Sequence, residues 1–323
     1  MSSLSAFAIL GPTASGKTAL ALQLAKIFPI EIISLDSALV YRGMDIGTAK
    51  PTLSERLAVP HHLIDIISPM QTYSAADFVT DCTHLIGEIH ARGKIPLIVG
   101  GTMMYYHALT QGLNQLPDAN EEIRHQLHDL KEKHGLSFLY QRLQEIDATT
   151  AARLSANDSQ RIERALEIFE LTGKPLSTHL QENAVRTPLR LHTLALLPEN
   201  RDLLHQQINR RFTMMLENGL LDEICHLRTH YPDLHQDMPS MRCVGYRQAW
   251  AHLNGDISAN ELLQQGQAAT RQLAKRQLTW LRKIPADTVL DPYAARDVFQ
   301  AASCALHHFI QQNTSNLFNE NVT

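Results

Sequence analysis

Eight residues near the start of the chain, Gly11, Pro12, Thr13, Ala14, Ser15, Gly16, Lys17 and Thr18, match the pattern G-x-x-x-x-G-K-[ST] and follow at once on the apolar run Ala6–Leu10. The glycines of such a loop let the backbone curl until several N–H groups converge on one anion. A helix opening at its end adds partial positive charge. Lys17 offers an ammonium to the distal phosphate, and Thr18 offers a hydroxyl to Mg2+. The motif also meets its context test, since it follows a buried strand and opens a helix. It specifies a bound di- or triphosphate and not a reaction; most loops of this kind hold ATP or GTP.

The first 110 residues read as alternating strands and helices. Glu31–Leu35 is a second strand ending at Asp36, Ala75–Arg92 is a helix, and Ile95–Val99 is a strand running into Gly100-Gly101-Thr102, with a helix from Met103. The helix after the glycine-rich loop is expected over Thr18–Phe28. Nearly continuous apolar strands imply a parallel sheet covered on both faces. From about Leu116 to Arg186 the strand signal fades, and Glu121–His134, Leu136–Glu145 and Asp158–Leu171 are polar and helix-prone. Leu191–Leu197 resumes the sheet, and helices are predicted over Arg201–Glu217, Leu220–Thr229, Gly245–Leu253 and Ala259–Lys283. The fold class is therefore α/β: a P-loop parallel sheet with helices on both faces and a mostly helical insertion. The expected plan is a core in two parts, 1–115 and 187–312, an insertion over 116–186, and a flexible polar tail over 313–323.

Composition narrows the setting. The 323 residues are 44% hydrophobic and 19% charged, as in ordinary globular proteins. No apolar run approaches the roughly 18–20 residues that span a bilayer, so no membrane association is expected. The N-terminal apolar run lacks a basic flank and reads as a core strand, not a signal peptide. Cys82, Cys225, Cys243 and Cys304 form no C-x-x-C pair and read as reduced thiols of a cytoplasmic protein. The 17 histidines are scattered, with none assigned to a metal. A net charge of −4 argues against indiscriminate nucleic-acid binding but permits a local basic groove.

Ligands of open α/β sheets bind beyond the carboxyl ends of the strands. Asp36 therefore belongs to the rim that carries the P-loop, where a carboxylate can accept a proton from a nucleophile or hold Mg2+ through water. Thr102 shares that rim and can hydrogen-bond a phosphate or a nucleophile, or simply cap a helix. A nucleotide hydrolase would carry a metal-holding Asp at the end of a later strand. Here that strand ends in Gly100-Gly101-Thr102, and Leu63-Ile-Asp65 is a weak substitute.

Three segments are basic. Arg161 and Arg164 lie three apart in Gln160–Arg164 and should share a helix face. Arg242–Arg247 combines two arginines, a glycine and Tyr246, a mix that suits phosphate contact and base stacking. On a helical wheel Arg271, Lys275, Arg276, Arg282 and Lys283 fill one side, and Leu273, Leu278, Trp280 and Leu281 most of the other; such a helix can bind RNA or another acidic surface.

Taken together, Gly11–Thr18, Asp36–Leu39, Tyr41–Pro51, Gly100–Thr102, Gln160–Arg164, Arg242–Arg247 and Arg271–Arg282 resemble the tRNA dimethylallyltransferase (isopentenyltransferase) family over roughly residues 6 to 310. No counterpart of the eukaryotic C-terminal zinc finger is present, so the resemblance is to the bacterial form. It implies a Mg2+-dependent transfer of a dimethylallyl group from dimethylallyl diphosphate to N6 of adenosine 37, next to the anticodon. Gly11–Thr18 and Arg211 would bind the diphosphate. Asp36 would be the base, with Thr102 and Lys17 beside it in the catalytic group. The tRNA anticodon stem-loop would be held by Asp36, Ser37, Ala38, Leu39, Thr102, Arg124, Gln160, Arg161, Ile162, Glu163 and Arg164. Further contacts would come from Arg242, Cys243, Val244, Gly245, Tyr246, Arg247, Lys275, Arg276 and Arg282. A monomer is expected. Two rivals remain: a P-loop kinase of a nucleoside or small metabolite, which would consume ATP, and a non-catalytic RNA-binding module.

Overall fold

The computed structural model describes residues 4–112, 114, 116–181, 189–294 and 297–319. Six parallel strands form one sheet in the order β3-β2-β4-β1-β5-β6. They are β1 (Leu4–Leu10), β2 (Ile30–Leu35), β3 (His61–His62), β4 (Ile95–Gly100), β5 (Leu189–Leu196) and β6 (Thr288–Leu290). The helices, in chain order, are α1 (Lys17–Ala25), α2 (Leu53–Ala58), α3 (Ala75–Ala91), α4 (Met103–Gln111), α5 (Glu121–His134), α6 (Leu136–Ile146), α7 (Ala148–Ala151), α8 (Ser159–Thr172) and α9 (Leu176–Gln181). After β5 come α10 (Arg201–Glu217), α11 (Leu220–His230), α12 (Tyr246–Leu253), α13 (Ala259–Leu281) and α14 (Val298–Asn319). No helix among the described residues is long and apolar enough to cross a membrane.

Alternation along the strands builds two apolar faces. Ala6, Ala8 and Leu10 of β1 pack on Phe78, Cys82, Ile86 and Ile89 of α3 and on Tyr105 and Leu109 of α4. Phe7 and Ile9 point the other way, onto Leu20 and Leu24 of α1 and Leu306 and Phe309 of α14. The one acid inside these strands, Glu31, is buried and satisfied: it accepts from Arg92 at 2.7 and 3.0 Å and pairs with His62 at 2.7 Å. The Arg92 hydrogen bonds outweigh burial and hold its carboxyl down at about 2.

The chain divides into two compact units, residues 1–110 with 188–323, and residues 111–187. The second is helical, with its own core of Leu127, Leu139, Leu143, Ile162 and Leu166. The expected junction at 186 and 187 lies outside the described residues.

One expectation changes, and one strand is added. The helix after the P-loop ends at Ala25, not Phe28, because Pro29 restricts the residue before it and the chain turns through Lys26–Phe28 into β2. Helix α14 runs on to Asn319, into the polar segment expected as a tail from residue 313. Ala302, Leu306 and Phe309 form a buried stripe at helical spacing, and a helix anchored there propagates into the polar residues beyond. Strand β6 is too short for its pattern to declare itself; it forms because Leu194–Leu196 offers it an edge.

Glycine is required where β2, β4 and the turn after β4 converge. A Cβ on Gly100 would sit 2.0 Å from the Leu35 carbonyl oxygen. That oxygen accepts from the N–H groups of Gly101 and Thr102 at 3.2 and 3.1 Å. Gly87, inside α3, has negative φ and free space: its Cβ would meet only Leu4, at 4.0 Å. The two sites should respond with opposite signs in urea unfolding. Gly100→Ala is expected to lose about 1–3 kcal/mol through backbone displacement, and Gly87→Ala to gain about 0.5–1 kcal/mol through helix propensity. An unchanged midpoint for Gly100→Ala would show that the Leu35 contact is slack.

Candidate active site

The carboxyl ends of β1, β2 and β4 deliver the P-loop, Asp36 and Thr102 to one edge of the sheet. Register makes this happen: Gly100 pairs with Leu10 on one side and with Leu35 on the other, so the three strands end level.

The P-loop curls through two left-handed residues, Ala14 (φ 63°) and Gly16 (φ 80°). Inside it, Pro12's carbonyl accepts from the Ser15 hydroxyl at 2.8 Å and from Lys17 Nζ at 2.7 Å. Helix α1 then begins with no side-chain cap and no acid in its first turn. By contrast, α3 and α13 close their own starts with capping boxes that use Asp77 and Glu261. The free N–H groups and dipole of α1 are thus left for an external anion.

Two residues outside the loop clamp its shape, and a third fixes the neighbouring turn. Gln277 of α13 accepts from Thr13 N–H at 2.8 Å and donates from its amide to the Gly101 carbonyl at 2.9 Å, joining the P-loop to the β4 turn. Tyr293 donates its hydroxyl to the Ala14 carbonyl at 3.0 Å. Thr102 accepts from Ser37 N–H at 3.0 Å and donates to the Ser37 hydroxyl at 3.3 Å, fixing the turn that carries Asp36. Its hydroxyl is therefore given to the neighbouring loop and does not cap α4. Asp36 uses Oδ1 to accept from Ala38 N–H at 2.9 Å, which leaves Oδ2 for a ligand.

Electrostatics bind Lys17, Arg211 and Asp36 into one group. Burial, with the nearby Arg211 charge, pulls the Lys17 ammonium down to about 7 against the opposing pull of Asp36. Burial also lowers Arg211, again opposed by Asp36. The Cys243 thiol, pushed up to about 12 by burial and by Asp36, belongs to the same enclosure. Arg211 lies on α10 and donates to the Thr48 carbonyl at 3.4 Å. Two cations face one carboxylate, so the enclosure has positive charge to give to an anion. Thr18 is exposed, with its hydroxyl unengaged among the described residues, and Asp36 supplies a carboxylate oxygen; a hydroxyl and a carboxylate are the oxygen donors that Mg2+ takes.

The weak substitute for a metal-holding Asp is otherwise employed. Asp65 sits with φ 57° and is neutralised by Lys50 at 2.5 Å and Arg56 at 2.6 Å.

Several residues expected on an RNA surface are structural. Tyr246 is wholly buried; its hydroxyl donates to Glu223 at 2.5 Å, so its ring cannot stack on a base. Gly245 is buried too, at φ 95°, in the turn that starts α12. Ile162 is buried in the core of the second unit. Glu163 accepts from Lys131 at 2.8 Å and from Ser159. Arg161 and Arg164 do not act as a shared outer face. Arg161 is exposed and pairs with Asp158, whereas Arg164 turns in to Glu167 at 2.7 Å and the Pro117 carbonyl at 2.6 Å. Arg124 reaches the same buried Glu167 at 2.9 Å. Burial pushes that carboxyl up, but Arg164, Asn120 N–H and Arg124 together hold it below its usual range.

The remaining positions stay accessible. Gln160, Lys275, Arg276 and Arg282 are exposed; Ser37 is exposed, and Ala38, Leu39 and Val244 are half-buried. Arg242 and Arg247 line a cleft with Gln236 and Asp237. On α13 Leu278 and Leu281 are buried as the wheel required, but Trp280 is 43% exposed, edge-on to His107. Gln277 and Tyr293 were not legible as site residues: an amide inside a basic run, and a tyrosine far along the chain, carry no local signal.

The lowered Lys17 couples anion binding to proton uptake. With its ammonium pulled down to about 7, Lys17 is only partly protonated at pH 8, and a bound diphosphate raises its affinity for protons. The intact enzyme should therefore take up more protons than Lys17→Met when it binds inorganic diphosphate at pH 8. Calorimetry in buffers of different ionisation enthalpy reads this directly. Equal net proton exchange in Lys17→Met would remove Lys17 from contact with the anion.

Comparison with known proteins gives a consistent answer. Residues 39–284 match the family model "IPP transferase", and residues 4–63 match "Isopentenyl transferase". The tRNA dimethylallyltransferase of Neisseria meningitidis serogroup C is 64% identical over 290 residues, covering 90% of this chain and 93% of that protein. The crystal structure of the full-length tRNA isopentenylpyrophosphate transferase from Bacillus halodurans is 37% identical, with a TM-score of 0.67, covering 99% of this chain and all of that one. A eukaryotic dimethylallyltransferase acting on tRNA gives a TM-score of 0.80 at 29% identity, covering 96% of this chain and 80% of that one. An uncapped P-loop beside Asp36 and Arg211, a matching fold and identity along nine-tenths of the chain place it in the IPP transferase family, among the tRNA dimethylallyltransferases.

Proposed function

We propose that this chain transfers the dimethylallyl group of dimethylallyl diphosphate to N6 of adenosine 37, beside the anticodon of tRNA, releasing diphosphate. The observation that carries the reading is the enclosure at the ends of β1, β2 and β4: amides of the α1 start, Lys17 and Arg211 face one carboxylate, Asp36, whose Oδ2 is unengaged among the described residues.

The diphosphate lies in the P-loop, where the amides, the α1 N-terminus, Lys17 and Arg211 meet the negative charge that grows as the allylic C–O bond breaks. Mg2+ held by Thr18, with Asp36 through water, would supply further charge neutralisation there. The lone pair of N6 forms the new C–N bond, and the N6 proton passes to Asp36 Oδ2. Adenine N6 is a poor nucleophile because its lone pair is delocalised, so the base matters. Thr102 acts as a positioning residue, holding the Asp36–Ser37 turn through Ser37. Asp65, paired with Lys50 and Arg56, offers a kinase no second metal-holding carboxylate, which disfavours the ATP-consuming alternative.

The target base must leave its stack to reach such a site. Arg242, Arg247, Lys275, Arg276 and Arg282 are exposed cations suited to the anticodon-arm backbone, and Gln160 and Arg161 offer exposed polar contacts on the helical second unit. In this reading the enzyme acts in the cytoplasm, as a monomer.

The test is incubation of the enzyme with tRNA and labelled dimethylallyl diphosphate, with nucleoside mass spectrometry and diphosphate release. One prenylated adenosine per diphosphate is expected; phosphoryl transfer from ATP to a small metabolite, with unaltered tRNA, would overturn the reading. Asp36→Asn should lower the single-turnover rate by about 10²–10⁴, the scale of a lost general base, while tRNA affinity stays within a few-fold. A near-wild-type rate would remove Asp36 as the base. Replacing Lys275 or Arg282 with Ala should lower the slope of log affinity against log salt by about 0.7–0.9 per lost phosphate contact. Slopes equal to wild type would detach α13 from the RNA.

A further inference from the structure

Away from the leaving-group pocket, the first turn of α11 carries a carboxylate that none of the steps above uses. Glu223 Oε2 accepts from the backbone N–H groups of Asp45 and Ile46 at 2.8 and 2.6 Å. Its Oε1 accepts from Gly47 N–H at 3.3 Å and from the Tyr246 hydroxyl at 2.5 Å. Three successive amides converging on one anion form a nest, here filled by the protein's own side chain. No cation lies within ion-pair distance of Glu223 among the described residues, so N–H and O–H dipoles hold it.

The turn so gripped is otherwise irregular. Its next residue, Thr48, donates its hydroxyl to the Met44 carbonyl at 2.7 Å, and Lys50 closes the segment onto the Tyr41 carbonyl at 2.9 Å and onto Asp45. Gly47 lies directly on the Tyr246 ring: a Cβ there would be 2.5 Å from it. The Thr48 carbonyl then points at Arg211, accepting from its guanidinium at 3.4 Å. This is the hydrogen bond that the described chain gives Arg211, and it comes from a backbone atom whose position depends on the preceding three residues.

We infer that Glu223 is a positioning residue for the leaving group: by filling the Asp45–Gly47 nest it sets the Thr48 carbonyl, which holds the Arg211 guanidinium in the enclosure with Lys17 and Asp36. The inference rests on the proposed role of Arg211 as a diphosphate ligand. An ionised carboxylate is acceptor-only and saturates donors at both oxygens, whereas an amide must turn its NH2 toward either the nest or Tyr246 and lose one side. Glu223→Gln therefore loosens the turn without changing the size of the side chain.

The experiment measures inorganic diphosphate affinity by calorimetry, with tRNA affinity and melting temperature alongside, for the intact enzyme and for Glu223→Gln, Tyr246→Phe, Arg211→Gln and the two double variants with Arg211→Gln. Glu223→Gln is expected to weaken diphosphate binding about tenfold, the scale of a lost charged hydrogen bond, with tRNA affinity unchanged. In the Arg211→Gln background it should add less than about twofold, since both changes remove one contact. A general loss of structure would instead multiply with Arg211→Gln and lower tRNA binding too. Tyr246→Phe removes a single hydroxyl from the same carboxylate; should Glu223→Gln fail to fold, a loss of about twofold that vanishes with Arg211→Gln carries the test. Multiplying losses, or wild-type diphosphate affinity in both single variants, would overturn the inference. Wild-type affinity in Arg211→Gln alone would overturn the clamp role of Arg211 itself, and Glu223's role with it.

Discussion

Gly100 is paired with Leu10 and with Leu35, and this double register governs everything at the active edge. Parallel strands that end level release their following loops into the same space. The Leu35 carbonyl then accepts from two amides of the β4 turn, a contact possible only without a Cβ at residue 100. From that point Thr102 reaches Ser37 and Gly101 reaches Gln277, which reaches Thr13. A chain of short polar contacts thus fixes the P-loop and the Asp36 turn relative to one another, on a sheet buried on both faces. Precision of this kind matters where one group must accept a proton while others neutralise a leaving anion.

The charges follow a consistent logic. Burying a cation without a partner is costly, and the cost appears as a lowered affinity for protons. Lys17 and Arg211 bear it in the enclosure, with Asp36 offsetting only part. In the second unit the same residue type behaves oppositely: Arg124 and Arg164 are neutralised by the buried Glu167 and knit helices together. Uncompensated positive charge and an uncapped helix start coincide at the P-loop, where an anion relieves both.

Much of this architecture was legible in the sequence. Apolar runs of five to seven residues separated by helical patterns gave the parallel sheet, and the order of β1, β2, β4 and β5 along the chain needed no structure. The placement of the P-loop, Asp36 and Thr102 on one edge of the sheet was legible because each follows an apolar strand. Short elements were not: β3 has two residues and β6 three, and both exist through pairing with a longer neighbour. Surface and core arginines were also indistinguishable in one dimension. Arg161 and Arg164 look alike in sequence, and only the placement of Glu167 and Pro117 separates them.

The sequence by itself determined the phosphate-binding loop, the fold class and, through its resemblance, the reaction, because these rest on local patterns: strand periodicity, glycine spacing, and residue types that chemistry restricts. Tertiary structure alone decided which distant side chains complete the site and which apparent RNA contacts are core. Gln277, Tyr293, Arg211 and Glu223 act on loops more than 150 residues earlier in the chain. Tyr246 lies under one of those loops, not on the surface. Such contacts are set by how helices stack against the finished sheet, and a hydrogen bond across that separation leaves no periodic trace in the residues on either side of it.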